Sequence, residues 1–183
     1  IFSIWQMSKM NTNYDYLIED RAHKVIEASK IQNATSLQGL YIRSYVLRKD
    51  KDDLSLLYTQ RETVTDTLNK IEPLFKTPEM QKEVKHIQEQ QVIYNDYVDQ
   101  IVQYVYAGKP DKAQNVLFHF DVPANKEIQT SINTVVDFQK EKMSETNKET
   151  TSSAETSRTI LIVIALIMSI IAVAIALRIT ANI

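Results

Sequence analysis

Residues 160–177 form an uncharged aliphatic run bounded by Arg158 and Arg178. At 1.5 Å per residue a helix of that length spans about 27 Å, close to the roughly 30 Å hydrocarbon core of a bilayer. Ser169 is its one polar residue, and a helix can bond such a hydroxyl internally. A buried core helix carries an apolar stripe, whereas this run is apolar on every face, so the sequence predicts a transmembrane helix. It lies near the C-terminal end, which excludes a secretory signal. The polar residues before it therefore act beside a membrane.

Those residues have a helical composition. The 183-residue chain contains two glycines, Gly39 and Gly108, and four prolines, Pro73, Pro78, Pro110 and Pro123. Such a chain has few tight turns. A net charge of −2 and the absence of any Lys/Arg block exclude a nucleic-acid surface. With no cysteine, disulfides and thiolate metal sites are excluded as well. His23, His86 and His119 fall on different elements without an i, i+4 partner, so no metal-binding spacing exists. There is no glycine-rich phosphate loop and no nucleophile elbow. The expectation is a non-enzyme with no catalytic residue, no metal and no cofactor.

Breaks near 49–53, 76–78 and 108–123 divide the polar part into four helices, at about 8–48, 53–75, 78–107 and 123–158. Asp52 or Asp53 is placed to cap the second, Thr77 with Pro78 the third, and Gly108 followed by Pro110 to end it. In the second and third helices apolar residues recur in steps of three and four, as in Leu57, Val64, Leu68 and Ile71, then Val84, Ile87, Tyr94, Val98 and Ile101. That spacing is the seam of an antiparallel bundle. The stripes of the first and fourth helices are wider, as expected where each also faces a second subunit. The fold class is therefore all-α, an up-down-up-down four-helix bundle continuing into a transmembrane helix.

The outer helices are also the long ones, roughly 55 to 60 Å against shorter inner partners, so they alone would reach the membrane. Residues 146–159 are rich in Thr, Ser and Glu and lack a seam. A flexible linker transmits nothing, so signalling requires this stretch to stay helical. Ile1, Phe2, Ile4 and Trp5 read as the end of an earlier membrane helix. The expected organisation is the tail of a first transmembrane helix at 1–7, an extracytoplasmic bundle at 8–158, a second transmembrane helix at 159–177, and a HAMP-like start at 178–183. Residues 110–120 form a short helical piece at the tip, where Leu117, Phe118 and Phe120 are expected to close the bundle.

Arg61 and Gln91 intrude on the seam and either snorkel outward or form a polar layer that fixes register. Arg43 and Arg48 lie five apart on the first helix, about 140° around it. One can face a symmetry mate while the other flanks the fourth helix, giving a carboxylate-binding pocket at a dimer interface. The other reading is a pair of solvated arginines held by the acidic residues at 50–53.

Assembled in this order, the elements resemble the sensor part of bacterial methyl-accepting chemotaxis receptors of the four-helix-bundle type. The resemblance covers the whole chain, including Ile42-Arg43-Ser44-Tyr45-Val46-Leu47 and the Arg178-Ile179 segment after the membrane, where Asn182 replaces the proline usual in a HAMP linker. It implies a homodimer in the cell membrane, with the bundle outside the cytoplasm and ligands bound between first and fourth helices near the tip. The amino-acid-sensing members use three arginines on the first helix and the residue after a Phe-x-x-Pro motif. Arg43 and Arg48 match the first two positions, while the third is Asp52. Phe120-Asp121-Val122-Pro123 matches the motif, followed by Ala124 instead of a hydroxyl-bearing residue. Arg43, Arg48, Phe120 and Ala124 are thus the implied ligand-binding residues, and the departures argue against the same amino-acid ligand. The partners implied are a second copy, a small molecule or ligand-binding protein, and the lipid bilayer. A sensor module of a membrane histidine kinase or cyclase, and a non-sensory membrane-anchored bundle, remain alternatives.

Overall fold

The computed structural model describes residues 8, 11, 12 and 16–181. The expected tail of a first membrane helix at 1–7, and residues 182–183 of the HAMP-like segment, lie outside them. A wide π-type turn at Tyr16–Ala22 leads into α1 (His23–Arg48). It is followed by α2 (Lys51–Ile71), extended by a tight turn at Glu72–Leu74, and by α3 (Pro78–Tyr106). After α4 (Pro110–Val116) a second π-type turn, Leu117–Asp121, opens α5 (Val122–Ala181). Among the described residues there is no strand, as the sequence predicts.

The joints follow from local chemistry. Lys49 takes a left-handed backbone (φ 56°) and its amide bonds the Tyr45 carbonyl at 2.8 Å, ending α1. The α2 cap is Asp50, not the expected Asp52 or Asp53: its backbone is extended and its side chain accepts the Asp52 amide at 2.9 Å. Helix α2 accordingly starts at Lys51, two residues early. Pro78 occupies the first turn of α3, while the Thr77 side chain makes no capping bond. At the other end Gly108 has φ 66°, and the Gly108 and Lys109 amides bond the Val105 and Tyr104 carbonyls. That is a Schellman closure, which only a residue at ease in the left-handed region completes without strain.

The chain divides into two compact units. In the unit Asp20–Glu141, Ile42, Leu57, Val64, Ile87, Val98, Ile101 and Ile128 are fully enclosed, so the expected seam is the core. Arg61 and Gln91 form the polar layer. Gln91 Nε2 donates to Gln38 Oε1 at 3.1 Å and to Asn95 Oδ1 at 2.9 Å, with Gln38 and Gln91 both buried. Arg61 Nη2 donates to Asp99 Oδ1 at 2.8 Å and to the Asn95 carbonyl at 3.1 Å, pinning α2 to α3. A half-buried guanidinium whose Nη groups are paired while its Nε is left without a partner fixes helix register more than it adds stability.

The other unit contains α5 from Lys142 onward. Its Thr/Ser-rich stretch stays helical, with its hydroxyls bonded inside the helix. Thr146, Thr150, Thr156, Ser157 and Thr159 each donate to the carbonyl one turn back, at 2.6–3.0 Å. Such back-bonding satisfies the hydroxyls within the helix instead of letting them compete for its amides. Ser169 does the same to Ala165 at 2.8 Å, as a helix in lipid requires. Leu161, Ile164, Leu166 and Met168 are all about half exposed, and the apolar window of this helix has no buried residue. Among the described residues this is the helix long and apolar enough to cross a membrane.

Candidate functional site

Helices α1 and α5 run antiparallel and are joined by a ladder of amide side chains. Gln32 Nε2 donates to Asn133 Oδ1 at 2.6 Å, and Gln129 Nε2 donates to the Gln32 carbonyl at 3.1 Å and to Ser36 Oγ at 3.0 Å. Further along, Asn125 Nδ2 donates to the Thr35 carbonyl at 2.9 Å inside the protein. An atom placed as a Cβ on Gly39 would lie 3.2 Å from Asn125 Nδ2 and 3.6 Å from Arg43 Nη2. Glycine at position 39 thus lets the start of α5 and the Arg43 guanidinium close on the α1 backbone.

Asp121, the last residue of the π-type turn before α5, belongs to the same cluster. Its side chain is fully buried, and neither carboxylate oxygen has a hydrogen-bond partner. Burial pushes its pKa up to about 7, against the pull of the Arg43 charge and of the Tyr94 hydroxyl that faces it. Tyr94 is itself fully buried and its hydroxyl completes no bond. Burial and the Asp121 charge both push that phenol far above its ordinary range. Arg43 on α1, Tyr94 on α3 and Asp121 and Asn125 at the head of α5 therefore form one electrostatic unit at the end of the bundle capped by α4.

Beside this unit lies a cavity of about 140 Å³ lined by Arg43, Val46, Leu47, Gln114, Leu117 and Phe118. Its exposed wall is apolar throughout, Arg43 and Gln114 contributing only the carbon parts of their side chains. Such a hollow suits a small apolar body, with the exposed Arg43 guanidinium on the solvent side beside it.

With this geometry in place, the comparisons decide the family. Residues 1–154 match the family described as a four helix bundle sensory module for signal transduction. The chain belongs to that family. Among solved structures, the sensory module is similar to one titled periplasmic sensor domain of sensor histidine kinase. The two share 16% identity with a TM-score of 0.62, over 78% of this chain and 92% of that one, a likeness of fold alone. No curated protein matches the chain.

In the sensory module the four residues implied by resemblance separate. Arg43 faces both the buried cluster and the cavity. Arg48 does not join it: its guanidinium clasps Asp53 at 2.7 and 2.8 Å, and its Nε also reaches Ser44 Oγ at 3.1 Å. Burial raises the Asp53 pKa, but hydrogen bonds from Ser44 and Arg48 outweigh it and hold the carboxyl below the usual range. Phe120 and Phe118 are largely exposed rather than packed into the bundle end, because the π-type turn rotates them outward. Phe120 instead lies against Tyr97, ring centroids 5.5 Å apart. Leu117 is buried as expected, and Ala124 is buried in the core next to Asn125. His23 and His119 are exposed, and His86 Nε2 lies 3.2 Å from Glu127 Oε1.

The residues missed in the sequence are Gly39, Tyr94, Asp121 and Asn125 as a group. A signal for Asp121 exists. Leu117, Asp121, Ala124, Ile128, Ile132 and Val135 follow the seam in steps of three and four, and all are buried. The stripe that singles out Arg61 and Gln91 singles out Asp121 as well.

Proposed function

We propose that the module is the extracytoplasmic ligand-sensing and transmembrane signalling part of a bacterial chemoreceptor. One observation carries this reading: Val122–Ala181 is a single unbroken helix that bears Asn125 of the candidate site at one end and the apolar run at the other. A ligand that contacts both α1 and the head of α5 biases two nearly equal settings of α5. A coupling of about 1 to 3 kcal/mol suffices. The bundle stands outside the cytoplasm, and Arg178 after the apolar run fits the cytoplasmic excess of positive charge.

The working unit is a homodimer. Ile26, Leu40 and Leu47 on α1 are 63%, 54% and 78% exposed, and they stand at multiples of seven residues, on one face. A second copy of the chain fits that row. The ligand class favoured by the exposed Arg43 guanidinium beside an apolar cavity is a small carboxylate with an apolar body, presented free or by a binding protein. A histidine-kinase input module is the second reading, because the solved relative carries that title and the same input can drive either output. The Arg178 segment fits a HAMP-like connector in both cases.

The two arginines provide the test. In the full-length protein in its host, thresholds are measured for a panel of amino acids and short apolar carboxylates. Arg43→Ala is expected to raise the threshold for at least one of them about tenfold, the effect of removing one charge-assisted contact. Arg48→Ala, whose partner is Asp53, is expected to leave it within about twofold. Equal thresholds in the wild type and both variants, or equal loss in both variants, contradict a carboxylate-sensing role for Arg43.

A further inference from the structure

A pocket that receives a carboxylate at Arg43 has no use for a second carboxylate buried behind it, yet Asp121 is there. Neither oxygen completes a hydrogen bond of full geometry, the Tyr94 hydroxyl being the donor that approaches it, and it is fully enclosed. The charged and titratable groups acting on it are Arg43 from α1 and Tyr94 from α3. His119, on its own turn, is exposed, with Nδ1 placed 3.0 Å from the Asn115 carbonyl. Asn125, one turn on, gives one of its two amide N–H groups to the Thr35 carbonyl and lies beside Tyr94.

A neutral carboxyl tolerates this enclosure, whereas an ionised one needs donors. The candidate donor is the exposed Arg43 guanidinium, which lies close to Gly39. Drawing it inward shifts α1 against the head of α5, and admitting water opens the turn Leu117–Asp121. Turns of the π type are adjustable points in helices and concentrate where function needs them. Either response acts on the residue from which α5 begins.

We propose that the Asp121–Tyr94–Arg43 cluster makes the module a sensor of external acidity, the proton being its ligand and the two charge states of Asp121 favouring two settings of α5. This rests on the reading that α5 transmits a displacement. The bound proton changes no other bond. Asp121 passes from carboxylic acid to carboxylate, and the proton leaves to solvent. The midpoint falls near neutrality, where burial places the Asp121 titration, at about 7, so the device answers to pH steps that leave ordinary carboxylates fully ionised.

The experiment uses the full-length protein in its host, with the output recorded during external steps between about pH 6 and about pH 8, and separately on adding a short apolar carboxylate. The wild type is expected to respond to the pH step. Asp121→Asn is expected to reduce that response at least fivefold while the carboxylate response persists. A pH response of wild-type size in Asp121→Asn overturns the proposal. A wild type blind to pH but responsive to the carboxylate also overturns it and leaves the sensor reading standing, whereas blindness to both removes the two together. Where Asp121→Asn answers no stimulus, carboxyl 13C NMR of the wild-type protein in membranes decides. An Asp121 midpoint above about 5.5 sustains the proposal, and one below that value overturns it.

Discussion

Asp121→Asn is expected to remove the fall in bundle stability between about pH 4 and about pH 7 and to make the protein more stable than wild type above neutrality. In the folded chain the Asp121 carboxyl keeps its proton up to about pH 7, whereas in the unfolded chain it releases it near 3.9. Between those values the native state binds more protons than the unfolded state, so stability falls as pH rises from about 4 to about 7 and levels off beyond. Roughly three pH units at 1.36 kcal/mol each give about 4 kcal/mol. For a chain of this size that is a fall in Tm on the order of 10 °C. The asparagine amide is neutral throughout, so its curve lacks this slope. Thermal melts in lipid nanodiscs at pH 4.5 and 8 check the point: wild type and variant should nearly coincide in acid and separate at pH 8. Parallel curves for the two proteins would show that the carboxylate finds compensation when ionised.

Thr151→Pro is expected to silence signalling without unfolding the bundle. Residue 151 stands on the exposed side of the Thr/Ser-rich stretch, outside the unit Asp20–Glu141. A proline there has no N–H for the carbonyl of Asn147, and its ring collides with that carbonyl, a local effect of about 3 kcal/mol. That exceeds the 1 to 3 kcal/mol of a typical coupling, so the helix should bend at the proline instead of passing a displacement on. The measurement pairs the output response, expected to vanish, with the melting of the bundle, expected to stay within about 2 °C. Thr151→Ala, which keeps the backbone bond, should respond as wild type does. A proline variant that signals normally would mean that α5 is not the route.

Much of the fold was legible because helices advertise themselves through spacing. The seam residues of α2 and α3, the stop at Gly108 and Pro110, and the apolar run all depend on local sequence alone. The α2 start was misplaced because Asp50, Asp52 and Asp53 are equivalent as caps on paper. In the folded chain Asp50 caps α2 while Asp53 pairs with Arg48. Phe118 and Phe120 were misread for a different reason. One extra residue per turn in Leu117–Asp121 rotates the following side chains, and π-type winding has no composition that announces it.

The site was legible by halves. Arg43 could be named from its place on the first helix, but its separation from Arg48 depends on an ion pair closed across the α1–α2 joint. The Asp121 cluster is non-local. Gly39, Tyr94 and Asn125 come from three helices, and each alone has an ordinary explanation as a small residue, a seam residue and a surface amide. Their meeting shows only when α1, α3 and α5 are packed together.

The most direct measurement is the rate of disulfide formation between two copies of the full-length protein carrying a single cysteine at Asn147, Thr151 or Glu155, in native membranes. These positions share one exposed face of α5. The rates are compared at about pH 6 and about pH 8 and with and without a short apolar carboxylate, while the output is recorded. Transmission along α5 predicts that at least one position changes its rate severalfold under every stimulus that changes the output. Rates that stay constant at all three positions while the output responds would contradict it.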